Sequence, residues 1–114
     1  MSKSPSVDHA AVLLRFSRAL VAGDFAAAHS LLEDPLSSEL SPEQLRMHFQ
    51  QMTDYWSGPA QRTEIMNALT EWPDRQHDDA GWAYAAILGP DFSEAVAGVV
   101  TKRGRIRKLE WGRP

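Results

Sequence analysis

The chain of 114 residues contains no cysteine, which excludes disulfides, thiolate metal sites and cysteine nucleophiles together. It also has no apolar run approaching the roughly 20 residues that a membrane-spanning helix needs. The opening "MSKSPSVDHAAVLLRF" offers neither an unbroken apolar core nor a small-residue cleavage site. A secretory signal is therefore not expected, and a cytoplasmic location is. Internal repeats, low-complexity tracts, glycine-rich phosphate loops, nucleophile elbows and zinc signatures are all missing from the sequence. No cofactor, no metal and no membrane partner is expected. What is present, 43% hydrophobic and 24% charged residues, matches an ordinary globular protein. At this length one domain is predicted, spanning 1–114, with residues 1–5 expected to lack order.

Charge is unevenly placed. Residues 1–101 carry six basic and fourteen acidic side chains, a balance of −8. Residues 102–114 carry six basic side chains against Glu110 alone, a balance of +5. A nucleic-acid contact would want a wider basic face with aromatic stacking platforms between the cations. Only Trp111 offers such a platform here. The favoured reading is a turn at Lys102-Arg103-Gly104 whose flanking cations form a solvated rim, with their stems lying on apolar neighbours. In that reading Arg105 and Arg107 share one strand face with Leu109 and Trp111, and Ile106 shares the other with Lys108.

The first half predicts helices. Ser6 is the expected cap of a helix whose Ala10, Leu13, Leu14, Ser17, Leu20 and Val21 follow a 3.6-residue period. Gly23 stops it, and Asp24 caps a short second helix with Phe25, Ala28, Leu31 and Leu32 on one side. "EDPLSSEL" breaks the pattern. Ser41-Pro42-Glu43-Gln44 then supplies a capping serine, a first-turn proline and a glutamine that closes a capping box. The third helix continues through Leu45, His48, Phe49, Met52 and Trp56.

After Pro59 the period changes to two. "AQRTEIMNALTEW" sets Thr63, Ile65, Asn67 and Leu69 against Arg62, Glu64, Met66, Ala68, Thr70 and Trp72. "DRQHDDAG" reads as a polar loop, followed by the strands "GWAYAAIL", "FSEAVAGVVT" and "RIRKLEW". Helices first and strands afterwards predict an α+β domain: three N-terminal helices packed on one face of a bent antiparallel sheet of about four strands. Trp82, Tyr84, Ala86 and Leu88 point one way and Ala83, Ala85 and Ile87 the other, so neither face of that strand is polar. Helices cover one face only. A homodimer through the sheet is the expected cover for the other, set against a sheet that shields its own small alanines.

"LLRFSRALVAGDFAAAHSLL", residues 13–32, resembles the opening helix pair of the nuclear-transport-factor-2-like superfamily, which includes SnoaL-like and ketosteroid-isomerase-like proteins. Ala22-Gly23-Asp24 is similar to that family's "AGD" break. The helix-to-meander order extends the resemblance over nearly the whole chain. It implies a cone-shaped, cystatin-like sheet, a pocket at the wide end and dimerisation through the sheet. The isomerases place a tyrosine donor where this chain has Phe16, and Glu33-Asp34-Pro35 lies too close to Asp24 to match their base. The resemblance thus implies a non-catalytic member.

Six residues, Phe16, Trp56, Met66, Trp82, Tyr84 and Trp111, are the expected lining of an apolar ligand pocket, the competing reading being a filled core. His48, Asp54 and Tyr55 are weak catalytic candidates for an acid–base enzyme acting on a hydrophobic substrate. Their spacing does not share one helix face, and His48 also reads as a half-buried member of the apolar stripe. His9 is expected to be exposed and His29 partly covered. His77, Asp78 and Asp79 could ligate a metal, but adjacent carboxylates diverge and a solvated loop is favoured. The primary expectation is a non-enzymatic domain that binds a small apolar molecule or a protein partner.

Overall fold

A computed structural model describes residues 7–56 and 58–112. The expected disorder of residues 1–5 and the expected cap Ser6 lie outside the described residues. The cap in place is Asp8, whose carboxylate accepts from the Ala11 N–H at 3.0 Å at the start of helix α1, His9–Ala22. Gly23 ends α1 in the left-handed region at φ 75°, which a Cβ would strain. The Asp24 N–H then reaches back to the Ala19 carbonyl at 2.9 Å, and the Asp24 side chain caps helix α2, Phe25–Ser30.

Four helices precede the sheet, one more than the sequence predicts. The addition is a single turn, α3, Leu36–Glu39, within the stretch read as a break. Asp34 supports that turn by accepting from the hydroxyls of Ser37 and Ser38. Helix α4, Pro42–Thr53, opens on the predicted capping box, with both reciprocal Ser41–Gln44 bonds made.

Four strands follow in one antiparallel sheet of order β1-β2-β3-β4: β1 Arg62–Leu69, β2 Asp79–Leu88, β3 Ser93–Thr101 and β4 Ile106–Trp111. Helix α1 packs across the sheet. Leu13, Phe16 and Leu20 meet Ala83, Ala85, Ile87, Val96, Val100 and Ile106, with Leu45 of α4 closing the layer. Eight of the largest side chains in this layer have relative exposures below 2%, so the space between helices and sheet is filled.

Three bulges correct the expected strand faces. In β1 the register shifts between Ile65 and Asn67. Thr63, Ile65 and Ala68 therefore pair with the helix-facing Ile87, Ala85 and Ala83, while Arg62, Glu64, Asn67 and Leu69 pair with Leu88, Ala86, Tyr84 and Trp82. Strict alternation had put Asn67 and Leu69 with Ile65; the extra residue, Met66, reverses them. In β4 the shift falls around Arg107, so Ile106 pairs with Val100 and is fully buried while Lys108 pairs with Val99. Ile106 and Lys108 do not share a face, contrary to expectation. In β2 the shift falls around Ala80, and the strand begins at Asp79, inside the predicted loop.

The basic C-terminal hairpin is tied to the acidic body. Lys102 to Gly104 is the predicted turn, with Gly104 at φ 76°. Arg103 donates twice to Glu33, at 2.7 and 2.8 Å, and Thr101 Oγ1 donates to the same carboxylate at 3.0 Å. The Arg103 hydrogen bonds hold Glu33 below the usual carboxylate range; burial opposes them and does not prevail. Arg105 donates to the Ser30 carbonyl, and residues Leu31 to Glu33 bond the edge of β4 at Ile106.

Arg107 donates to both oxygens of Asp79, at 2.6 and 2.7 Å, and Asp79 also accepts from the Gln76 N–H at 2.8 Å. The Asp79 side chain is 1% exposed. Burial there works against ionisation, but the Arg107 and Gln76 hydrogen bonds and the charges of Arg107 and Arg75 outweigh it, so its acidity is raised. Asp79 is an ion-pair anchor, not a member of a solvated loop. His9 is half-buried instead of exposed, because Gly81 leaves room for its ring to lie against the β2 backbone. His29 is partly covered as expected and bonds the Ser37 carbonyl at 2.7 Å.

Candidate functional site

Two surfaces gather the residues singled out in the sequence. One is a cleft of about 450 Å³ at the open end of the helix–sheet layer, lined by His48, Gln51, Met52, Tyr55, Glu94, Trp111 and Gly112. Helix α4 supplies His48 and Met52 one turn apart, and Tyr55 follows just beyond its end. The sheet supplies the floor. Glu94 pairs with Ile87 and Trp111 with Val96, so both project from the helix-facing side where β3 begins and β4 ends.

Within the cleft the His48 ring lies flat against Trp111, with centroids 5.4 Å apart and planes 7° apart. His48 is exposed, not the half-buried stripe member of the blander expectation, because α4 turns that position past the edge of the sheet. Trp111 continues inward to Phe16, whose ring is 6.3 Å away and fully buried. Tyr55 donates its hydroxyl to Glu94 at 2.5 Å, and its ring meets Phe92 edge-on at 5.2 Å and Trp56 at 6.4 Å. His48 and Tyr55 are thus brought to one cleft. Asp54 is not; it lines a neighbouring groove with Met47, Gln50 and Gln51.

The second surface is the sheet face turned away from the helices. By register its rows read Arg62–Leu88–Ser93, Glu64–Ala86–Ala95, Asn67–Tyr84–Ala97–Glu110 and Leu69–Trp82–Val99–Lys108. Trp82 and Tyr84 stack with centroids 6.2 Å apart and planes 13° apart. Ala97 and Val99 lie between these tall rings and the Glu110 and Lys108 stems, and are 0% and 3% exposed in the single chain. The small residues of β3 are therefore shielded by their own neighbours. Trp82, Tyr84, Ala86 and Leu88 remain only half-buried. At one end a notch of about 330 Å³ opens between Trp72 and Trp82, beside Lys108 and Glu110.

The six residues expected to line a single pocket do not meet. Phe16 is core, and Trp111 joins core to cleft. Trp56 packs over Gly89, where an added Cβ would fall 2.8 Å from its ring. Met66 stands 57% exposed at the β1 bulge. Trp82 and Tyr84 lie on the opposite face of the sheet from Phe16. Glu94 was missed by sequence reasoning. Period-two reading of "FSEAV" does put Glu94 on the face of Val96, but nothing local places the end of α4 over it.

No protein-family model matches this chain, and no curated protein does.

Proposed function

We propose that this chain is a non-enzymatic, cytoplasmic interaction module of the nuclear-transport-factor-2-like kind, with the sheet curved around α1, that pairs with a second copy through its outer sheet face. The observation that carries this reading is the apolar row Trp82, Tyr84, Ala86 and Leu88 left half-covered over a core that is already filled. A filled core favours the partner-protein form of the reading over an enclosed ligand.

Size and charge favour a copy of the same chain as the occupant. Four strands about 4.8 Å apart and some eight residues long, at about 3.3 Å each, make a face of roughly 500 Å² in projection. Accessible area over protruding rings is larger than projected area, which brings it near the roughly 800 Å² per partner of a stable interface. Each edge of the face carries one cation and one anion, Arg62 with Glu64 on β1 and Lys108 with Glu110 on β4. The face is neutral on a chain of net charge −3, so two copies meet without net repulsion there.

Sedimentation equilibrium tests the proposal. Wild type is expected to weigh twice the 12.7 kDa chain, and Tyr84→Glu to weigh one chain with an unchanged circular dichroism spectrum. A buried, unpaired carboxylate at the centre of the face should weaken pairing by about 3 kcal/mol or more, over a hundred-fold. Wild type at single-chain mass throughout would end the proposal. So would a dimer that Tyr84→Glu leaves intact.

A second reading, an acid–base enzyme, is favoured by the meeting of His48, Tyr55 and Glu94 in one cleft. It requires a bound substrate within hydrogen-bond reach of those three groups. A ligand-bound structure that leaves the cleft empty would remove it.

A further inference from the structure

We infer that the end cleft is a binding site for an organic ammonium group, independent of pairing through the sheet. The cleft is shallow and open to solvent, with about 450 Å³ of room, enough for a small ammonium group. Among the described residues that line it, Glu94 is the one carboxylate, and none is a Lys or Arg. The carboxylate is half-buried, and among the described residues no Lys or Arg pairs with it. Two other carboxylates held by side chains across the fold each have an arginine: Glu33 has Arg103 and Asp79 has Arg107.

Tyr55 fixes the geometry. Its hydroxyl takes Glu94 Oε2 at 2.5 Å and so orients the carboxylate, leaving Oε1 to a ligand N–H. The surrounding walls suit a cation with an alkyl tail. Tyr55 offers an aromatic ring, whose electron-rich face attracts ammonium groups, while one face of Trp111 is taken by the stacked His48 ring. Met52 adds a polarisable thioether, and the Gln51 amide adds a carbonyl acceptor. An anionic ligand would meet Glu94 without compensation, and a neutral apolar one would leave its charge desolvated and unpaired.

The site differs from the outer sheet face in every lining residue, so dimer failure does not remove it. The probe is n-butylammonium, titrated into the full chain at low salt and followed by amide and indole shifts in ¹H–¹⁵N spectra. We expect saturable shifts at Gln51, Trp111 and Gly112, with binding in the low-millimolar range, about −4 kcal/mol, given five heavy atoms. n-Butanol and butyrate should bind at least ten-fold more weakly. Glu94→Gln should lose at least ten-fold, while Tyr55→Phe, which keeps the ring, should lose less than Glu94→Gln does. Nα-acetyl-lysine amide compared with butylammonium separates the two sources of such a group. Tighter binding of the lysine derivative assigns a protein side chain, and equal binding assigns a free amine. Equal response to butanol, undiminished binding by folded Glu94→Gln, or shifts confined to other surfaces would overturn the assignment.

Discussion

Removing the cation from the buried Asp79–Arg107 pair should produce a loss of stability that depends on pH in a particular direction. Asp79 sits on β2 and Arg107 on β4, so their bond crosses the intervening β3, a span of about 9.6 Å at ordinary strand spacing. An arginine can cover that distance and keep two parallel donors on one carboxylate. Arg107→Met retains most of the stem and removes both donors. It leaves a carboxylate that is 1% exposed with only the Gln76 N–H and the more distant Arg75 charge for support. Breaking a buried pair in this way costs about 3–5 kcal/mol, a large share of the 5–15 kcal/mol that holds a small domain together. In urea, the midpoint should fall by about 1.5–2 M or more, given the usual denaturant dependence for a chain of this size. The pH dependence follows from the direction of the shift. Folding holds Asp79 below its unfolded value of about 3.9, so the pair's contribution is complete above that value and fades as pH falls through the folded one. In Arg107→Met, burial is left to dominate, and Asp79 takes up a proton more readily than in the unfolded chain. The gap between wild type and variant should therefore shrink to less than half on going from pH 7 to about pH 3. A gap below about 1 kcal/mol at pH 7, or one that stays constant in acid, would refute the reasoning.

Two further outcomes test the packing and the hairpin. Gly81→Ala places a methyl group on the His9 ring and should cost about 1–3 kcal/mol in urea unfolding, with most of the loss recovered in Gly81→Ala/His9→Ala; an additive double variant would show that the ring is not what the glycine accommodates. Glu33→Gln frees Arg103 from its carboxylate, so the variant should elute from heparin at higher salt than wild type, whereas unchanged elution would mean the hairpin cations are not neutralised by the acids they touch.

Where the signal was local, the sequence carried it. Gly23, Asp24 and the Ser41–Gln44 box act on backbone groups within three to five residues, and the three predicted helices begin or end where those residues stand. Asp8 caps α1 two residues inside the expected cap Ser6, and the 3.6-residue period does not mark which polar residue takes that place. The extra turn α3 depends on Asp34 reaching two serine hydroxyls, a pattern that "EDPLSSEL" conceals behind its proline. For the sites, Trp82 and Tyr84 were legible as a pair two residues apart on one strand face. The cleft was not. Tyr55 and Glu94 lie 39 residues apart, and only the way α4 crosses the end of the sheet brings them together.

The strand faces failed for a different reason, and that reason bears on function. An alternating pattern survives the insertion of one residue only if the partner strand absorbs it, and the sequence of one strand does not record its partner's register. Met66, Ala80 and Arg107 are three such residues. Met66 turns Asn67 and Leu69 onto the outer face, beside Tyr84 and Trp82, and so widens the apolar surface beyond β2. Ala80 and Arg107 bracket the end of β3 from both sides, and there the Asp79–Arg107 bond spans the strand between them. A deletion of Met66 would remove the bulge and keep the observed faces, because Asn67 would then follow Ile65 directly and still lie opposite Tyr84. Strict alternation with Met66 retained would instead set the Asn67 amide against a layer that has no unfilled space to receive it, while stripping Leu69 from the outer row. The bulge therefore protects the core and builds the outer face around an extra residue, so deleting Met66 should leave the outer row and the urea midpoint little changed, and a large fall in that midpoint would refute this account.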